Sequence, residues 1–268
     1  MKVAGKVVVV VGGGNGIGRE VVLELLRRGA RVAAVDVSRV GLDETAELAS
    51  AGERLATFPV DITDRMAVEE LPDRVVSALG EVDGLLNVAG IIQPFVRLAE
   101  LDHAAIERVI DVNLYGTIHT IKAFLPNLLQ RPVAHVANVS SMGGFLPVPG
   151  QTIYGASKAA VKLMTEGLYA ELLDTQVGVS LVLPGAVATD ITANSGIEVP
   201  IAGDPEAASR FPTTSPKDAA RTIVDGIEKG RFHIYVGRDS RLMNLANRLA
   251  PRRSTHLIQR QMKQLLST

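Results

Sequence analysis

The chain has 268 residues, 47% apolar and 21% charged, enough for one large α/β domain, which excludes a disordered or disulfide-stapled protein. Its 28 Lys and Arg against 29 Asp and Glu leave a formal charge of −1, so no global positive field exists to hold a phosphate backbone, and nucleic acid is not expected as a partner. With no Cys there is no thiolate nucleophile, iron–sulfur ligation or Cys-ligated zinc, no other ligand spacing points to a metal, and a reducing cytoplasm fits.

The apolar run Val7 to Val11 is too short for a secretion signal and runs into glycine, and no stretch approaches the ~18 consecutive apolar residues of a membrane span, so a soluble protein is expected. β-Branched runs predict strands at Lys6–Val11, Arg31–Asp36, Arg54–Pro59, Val82–Asn87, Val133–Val139, Gly178–Leu183 and Phe232–Val236. Between them, helical periodicity covers Gly16–Arg28, Gly41–Ala49, Asp64–Leu79, His103–Leu129, Tyr154–Leu173 and Lys217–Lys229. Strict alternation predicts a Rossmann-type, doubly wound parallel sheet of about seven strands flanked by helices, a single domain over 1–237.

Two regions break the alternation. About 190–216 holds Pro200, Pro205, Pro212 and Pro216 among apolar residues, and a loop this long reads as a substrate lid, with a plain surface insertion as the alternative. The remaining 238–268 is a basic amphipathic helical extension split by Pro251, with Leu242, Leu245 and Leu249, then Leu257 and Ile258, at helical spacing. Such a segment can make weak contact with an anionic membrane surface or touch a partner subunit, although charge-rich stretches are more often solvated faces.

Directly after the first strand stands Val11-Gly12-Gly13-Gly14-Asn15-Gly16-Ile17-Gly18, opening a helix. Glycines there let backbone N–H groups approach a pyrophosphate at a helix N-terminus. Asp36 ends the second strand, where a carboxylate can accept hydrogen bonds from ribose hydroxyls and repel a 2′-phosphate. NAD is therefore favoured over NADP, although Arg19 and Arg39 stand nearby. Further on, Tyr154-Gly155-Ala156-Ser157-Lys158 puts a phenol and an ammonium on one helical face, and a fixed cation is what would favour a phenolate at neutral pH. Ser141, thirteen residues earlier, could polarise a carbonyl or hold a substrate alcohol while Tyr154 moves the proton. A serine hydrolase is excluded, because Ser141 lacks a G-x-S-x-G elbow and no His has the context of a triad base.

Together these motifs resemble the short-chain dehydrogenase/reductase family of the compact, single-domain type, over essentially the whole chain to about Val236. The family's T-G-x-x-x-G-x-G is matched by Val11 to Gly18, with Val11 in place of Thr, so a rearranged structural hydrogen bond is expected at the turn. Asp61-Ile62 resembles the pair flanking the adenine, and Asn87-Val88-Ala89-Gly90 resembles N-N-A-G, with Val88 for the second Asn. Asn113 matches the Asn that completes a tetrad with Ser141, Tyr154 and Lys158, its main chain implied to hold a water on a proton route. Pro184-Gly185-Ala186-Val187-Ala188-Thr189 matches the segment that holds the nicotinamide carboxamide through Val187 and Thr189.

The resemblance implies an NAD-dependent oxidoreductase interconverting a secondary alcohol and a ketone, in which Ser141 positions the hydroxyl, Tyr154 removes its proton, and Lys158 lowers the Tyr154 pKa and binds the nicotinamide ribose. Ile92, Phe95, Met142, Phe145, Val148, Ile191 and Ile197, near the pocket mouth by family position, suggest an apolar substrate of moderate size. The alternatives are a 3-oxoacyl thioester reductase using NADPH and a non-catalytic nucleotide sensor. Assembly as a homotetramer or dimer through the long helices is also implied.

Overall fold

The computed structural model describes residues 1–189, 191–197 and 213–262. Seven parallel strands, β1 Val7–Val11, β2 Arg31–Asp36, β3 Leu55–Pro59, β4 Val82–Asn87, β5 Ala134–Val139, β6 Val177–Pro184 and β7 His233–Val236, form one sheet in the order β3-β2-β1-β4-β5-β6-β7. The chain winds outward from β1 to β3, then crosses back to lay β4 on the other side of β1. That reversal opens a crevice beyond the carboxyl ends of β1 and β4, where Val11 stands opposite both Val35 and Asn87.

Strand alternation divides the core. Val7, Val9 and Val11 face one apolar cluster, closed by α3 Arg65–Glu69, α4 Leu71–Leu79, α6 Gly116–Leu129 and α7 Thr152–Glu171. Val8 and Val10 face the other, closed by α1 Gly16–Arg27, α2 Arg39–Ala49 and α9 Pro216–Glu228. Arg28, just past α1, bridges Glu24 at 2.6 Å, Asp225 at 2.7 Å and Glu228 at 3.0 Å, fixing α1 against α9.

Two expected helices are interrupted. Asp64–Leu79 divides at Glu70, since Pro72 in the first turn of α4 has no N–H to continue the ladder from α3. His103–Leu129 holds a π-helical turn, Asp111–Tyr115, between α5 His103–Ile110 and α6. A side chain at Gly116 would collide with Ile62, so its absence lets the helix lie close to the loop after β3. After α7, the short α8 Ile191–Asn194 lies over the crevice, and β7 leads into α10 Arg238–Leu249 and α11 Pro251–Met262. Most of the expected lid lies outside the described residues. Among them no helix is long and apolar enough to cross a membrane.

Candidate active site

The turn after β1 is built for close approach. Gly12 has φ +86°, and a Cβ there would stand 2.6 Å from the Ala89 nitrogen; one at Gly18 would overlap the Gly12 carbonyl. The turn is also tied to α2, whose buried Thr45 Oγ1 reaches the Gly13 carbonyl at 3.0 Å and the Gly41 carbonyl at 2.8 Å. At the tip of β2 the Asp36 carboxylate accepts from the Gly14 and Ser38 N–H groups, each at 2.9 Å. The Arg19 guanidinium is engaged by Glu44 and the Gly14 carbonyl, both at 2.6 Å, whereas Arg39 stays exposed.

A cavity of about 520 Å³ opens beside this turn, at the sheet's switch point. Gly12, Asn15, Gly16, Ile17 and Gly18 form one side, Asp36, Asp61 and Ile62 the far end, and Ala89, Gly90 and Thr189 the inner wall. Not every expected cofactor residue reaches it. Gly14 is packed against Asp36, and Tyr154, Lys158, Pro184, Gly185 and Val187 do not line it. Asn87 departs furthest: its amide donates to Asn138 at 2.9 Å and accepts from Thr120 at 2.8 Å, and Asn138 donates on to Thr165 at 3.0 Å, a buried ladder that ties β4 to β5, α6 and α7. A glycine turn, a helix N-terminus and a strand-end carboxylate around an elongated space fit a nicotinamide dinucleotide.

Beyond the inner wall lie the four tetrad candidates. Ser141 is extended just after β5, and its Oγ accepts the Gly143 N–H at 3.0 Å; a Cβ on Gly143 would stand 3.5 Å from that Oγ and 3.2 Å from the Tyr154 ring, so both side chains flank the bare glycine. Burial pushes the Tyr154 pKa above its ordinary value, and the Ser141 hydroxyl opposes that shift. Lys158, one turn along α7, is buried; its Nζ donates to the Val139 carbonyl at 3.1 Å, and burial lowers its pKa to about 8. A Cβ on Gly90 would stand 2.8 Å from that Nζ and 3.2 Å from Asn113 Oδ1, so the bare glycine opens the wall to both groups. Asn113 sits in the π turn with its amide fully used: Oδ1 accepts from Ile91 N–H at 2.8 Å, and Nδ2 donates to Ile91 O and Ser157 Oγ, each at 2.9 Å. Its own carbonyl accepts from Thr117 Oγ1 at 2.9 Å.

The model of the short chain dehydrogenase family matches residues 6–199. The chain belongs to that family. SadH of Mycobacterium tuberculosis, named an oxidoreductase, is 36% identical over 253 residues, 91% of either chain. The 1-deoxy-11-beta-hydroxypentalenate dehydrogenase of Streptomyces avermitilis is 34% identical over 236 residues, 87% of this chain and 84% of that one. Among solved structures, a short-chain dehydrogenase/reductase from Burkholderia phymatum in complex with NAD superposes with a TM-score of 0.82 at 28% identity, covering 93% of this chain and 96% of that one. One from Burkholderia cenocepacia in complex with NADP gives 0.80 at 27% identity, covering 96% and 99%. This protein is therefore a short-chain dehydrogenase/reductase oxidoreductase of a family whose members bind a nicotinamide cofactor.

Three residues around the site carried no motif. Gln93, buried in the loop after β4, accepts through Oε1 the N–H groups of Ile153 at 2.7 Å and Tyr154 at 3.0 Å, so it caps α7 where Tyr154 emerges. Asp239, at the start of α10, accepts the Ala186 N–H at 2.8 Å and packs on Gly185, holding the segment after β6 from outside. Ser195 accepts the Ile92 N–H at 3.0 Å and Arg108 donates to its carbonyl at 3.3 Å, seating α8 over the cavity. Each is one polar residue working across a long sequence separation, which no local pattern reveals.

Proposed function

We propose that this protein is an NAD-dependent oxidoreductase that interconverts a secondary alcohol and a ketone, with an apolar substrate of moderate size. The observation that carries the reading is the buried Lys158 ammonium, one helical turn from Tyr154 and held by the Val139 carbonyl at 3.1 Å, directly behind the bare Gly90 of the cavity wall. The nicotinamide, when bound, supplies the hydride acceptor or donor. In oxidation, Ser141 orients the substrate hydroxyl and the Tyr154 oxygen takes its proton; in reduction the phenol returns it to the carbonyl oxygen. Lys158, cationic at pH 7 with a pKa lowered by burial to about 8, supplies the fixed positive charge one helical turn from Tyr154 that this reading needs to favour a phenolate. Asn113 holds the Ile91 backbone against α7 and so fixes the Lys158 side of the wall.

Asp36 supports NAD over NADP, because a 2′-phosphate beside it would meet a carboxylate while the neighbouring Arg19 is already committed to Glu44. Partly exposed Phe95, Met142, Phe145, Val148, Ile191 and Ile197 support an apolar substrate. Exposed Leu129 on α6 and Leu163 on α7 support a homo-oligomer, and residues 238–268 form an extension on a catalytic domain ending near 237, in a cytoplasmic protein.

The test is NADH formation from NAD, beside NADPH formation from NADP, across secondary alcohols graded in chain length and ring number and including 3-hydroxyacyl thioesters. NAD-dependent turnover should rise with apolar size, and Asp36→Ala should narrow the preference for NAD by roughly tenfold or more. Turnover with NADP alone, unchanged by Asp36→Ala, overturns the cofactor assignment.

A further inference from the structure

The inner and outer faces of α10 and α11 differ sharply. Inward, Ser240 Oγ donates to the Leu183 carbonyl at 2.7 Å, Asp239 takes the Ala186 N–H, Asn247 Nδ2 donates to the Phe145 carbonyl at 2.7 Å, and Asn244 Nδ2 donates to the Tyr235 hydroxyl at 2.6 Å. Among the described side chains of α11, Ser254 and Ile258 are buried. This seating fixes what points outward. Leu242, Leu245 and Leu249, at i, i+3 and i+7 along α10, are 66%, 57% and 77% exposed, so the helix turns its apolar stripe to solvent and its polar residues to the protein. That reverses the ordinary surface helix.

The charges complete the pattern. Between 238 and 262 stand Arg238, Arg241, Arg248, Arg252, Arg253 and Arg260 against one acid, Asp239, in a chain of formal charge −1. Among the described residues none of these arginines is ion-paired, and Asp239 is spent inward on Ala186. Arg238, Arg241 and Arg248 are exposed on α10 beside the leucines, while Arg252, Arg253, His256 and Arg260 are exposed on α11 beside the 49% exposed Leu257.

We propose that α10 and α11 form a docking surface for an anionic lipid bilayer, with the leucine stripe entering the headgroup–acyl boundary and the arginines meeting lipid phosphates. Arginine stems can lie along the apolar layer while their guanidinium groups reach the headgroups. A second copy of the chain brings the same unpaired arginines to the contact, so like charges would face one another. The exposed positions of the two helices include no Trp, Tyr or Phe, the side chains that anchor most protein partners. Because the inner face of α10 touches Ala186 and Phe145, docking there puts the rim of the candidate active site near the bilayer.

Sedimentation of the full chain with vesicles tests this. Vesicles of phosphatidylcholine with one quarter phosphatidylglycerol should carry the protein down, pure phosphatidylcholine should do so far less, and about 0.5 M salt should release it. The R252Q/R253Q/R260Q variant should bind roughly a hundredfold more weakly, and L242S/L245S/L249S should lose at least about tenfold, both with unaltered thermal unfolding. Absence of sedimentation with the anionic vesicles overturns the proposal. So does a leucine variant that keeps vesicle binding but breaks the oligomer, which would make the stripe an interface between copies.

Discussion

The wall of the cavity and the α10–α11 hairpin solve opposite problems. Around the cavity, function needs backbone to come close and charges to stand where water is scarce, so the decisive residues are ones that lack a side chain or bury a costly one. Gly12, Gly18 and Gly90 clear the space, and Lys158 is held charged behind it with a pKa pulled down to about 8. In the hairpin, single polar side chains on one face hold distant loops by ordinary hydrogen bonds, and the opposite face is left apolar and basic. The first region holds an unfavourable burial, while the second is held by favourable contacts.

Lys158→Met is the variant that separates the two most strongly. It should abolish turnover and, by removing a desolvated ammonium, raise stability at pH 7 by about 1–3 kcal/mol. The folded-state pKa lies below the ordinary 10.5, so the wild-type protein carries its full penalty below pH 8 and sheds it as pH rises from about 8 to 10.5. Urea unfolding at pH 7 and at pH 10 should therefore show the advantage of the variant shrinking; an advantage independent of pH would mean that the ammonium is not the source.

Asp239→Ala probes the hairpin and should do less. It leaves the Ala186 N–H without its acceptor, costing about 1–3 kcal/mol in urea unfolding, and it should raise the KM for the cofactor several-fold with a smaller change in kcat. Equal KM values for variant and wild type would show that the segment after β6 keeps its shape without α10.

This contrast also explains what could be read from the sequence. The strand bounds of β2 and β4 coincide with the expected ones: Val32–Val35 is an unbroken apolar run closed by Asp36, and Leu85-Leu86 is closed by Asn87. The glycine turn was legible because its chemistry is local. The π turn at Asn113 was not, since the apolar periodicity continues through it. Asn87 was misplaced on the cavity because its motif does not say where the side chain turns. Gln93 and Asp239 left no trace because a lone Gln or Asp in a loop looks like any solvated residue until the fold brings its partner to it. The amphipathic pattern at the C-terminus was visible, but periodicity alone gives no direction, and the leucine side faces out.

The central claim is that the Tyr154 hydroxyl, set by Ser141 and Lys158, moves the substrate proton. Tyr154→Phe tests it most directly, since it removes one oxygen and leaves the ring against Gly143. Measured with NAD and the best alcohol of the graded panel, the account predicts kcat falling by roughly 10²–10⁴-fold with NAD affinity unchanged. A variant that turns over at near wild-type rate would contradict it and return the proton to another group.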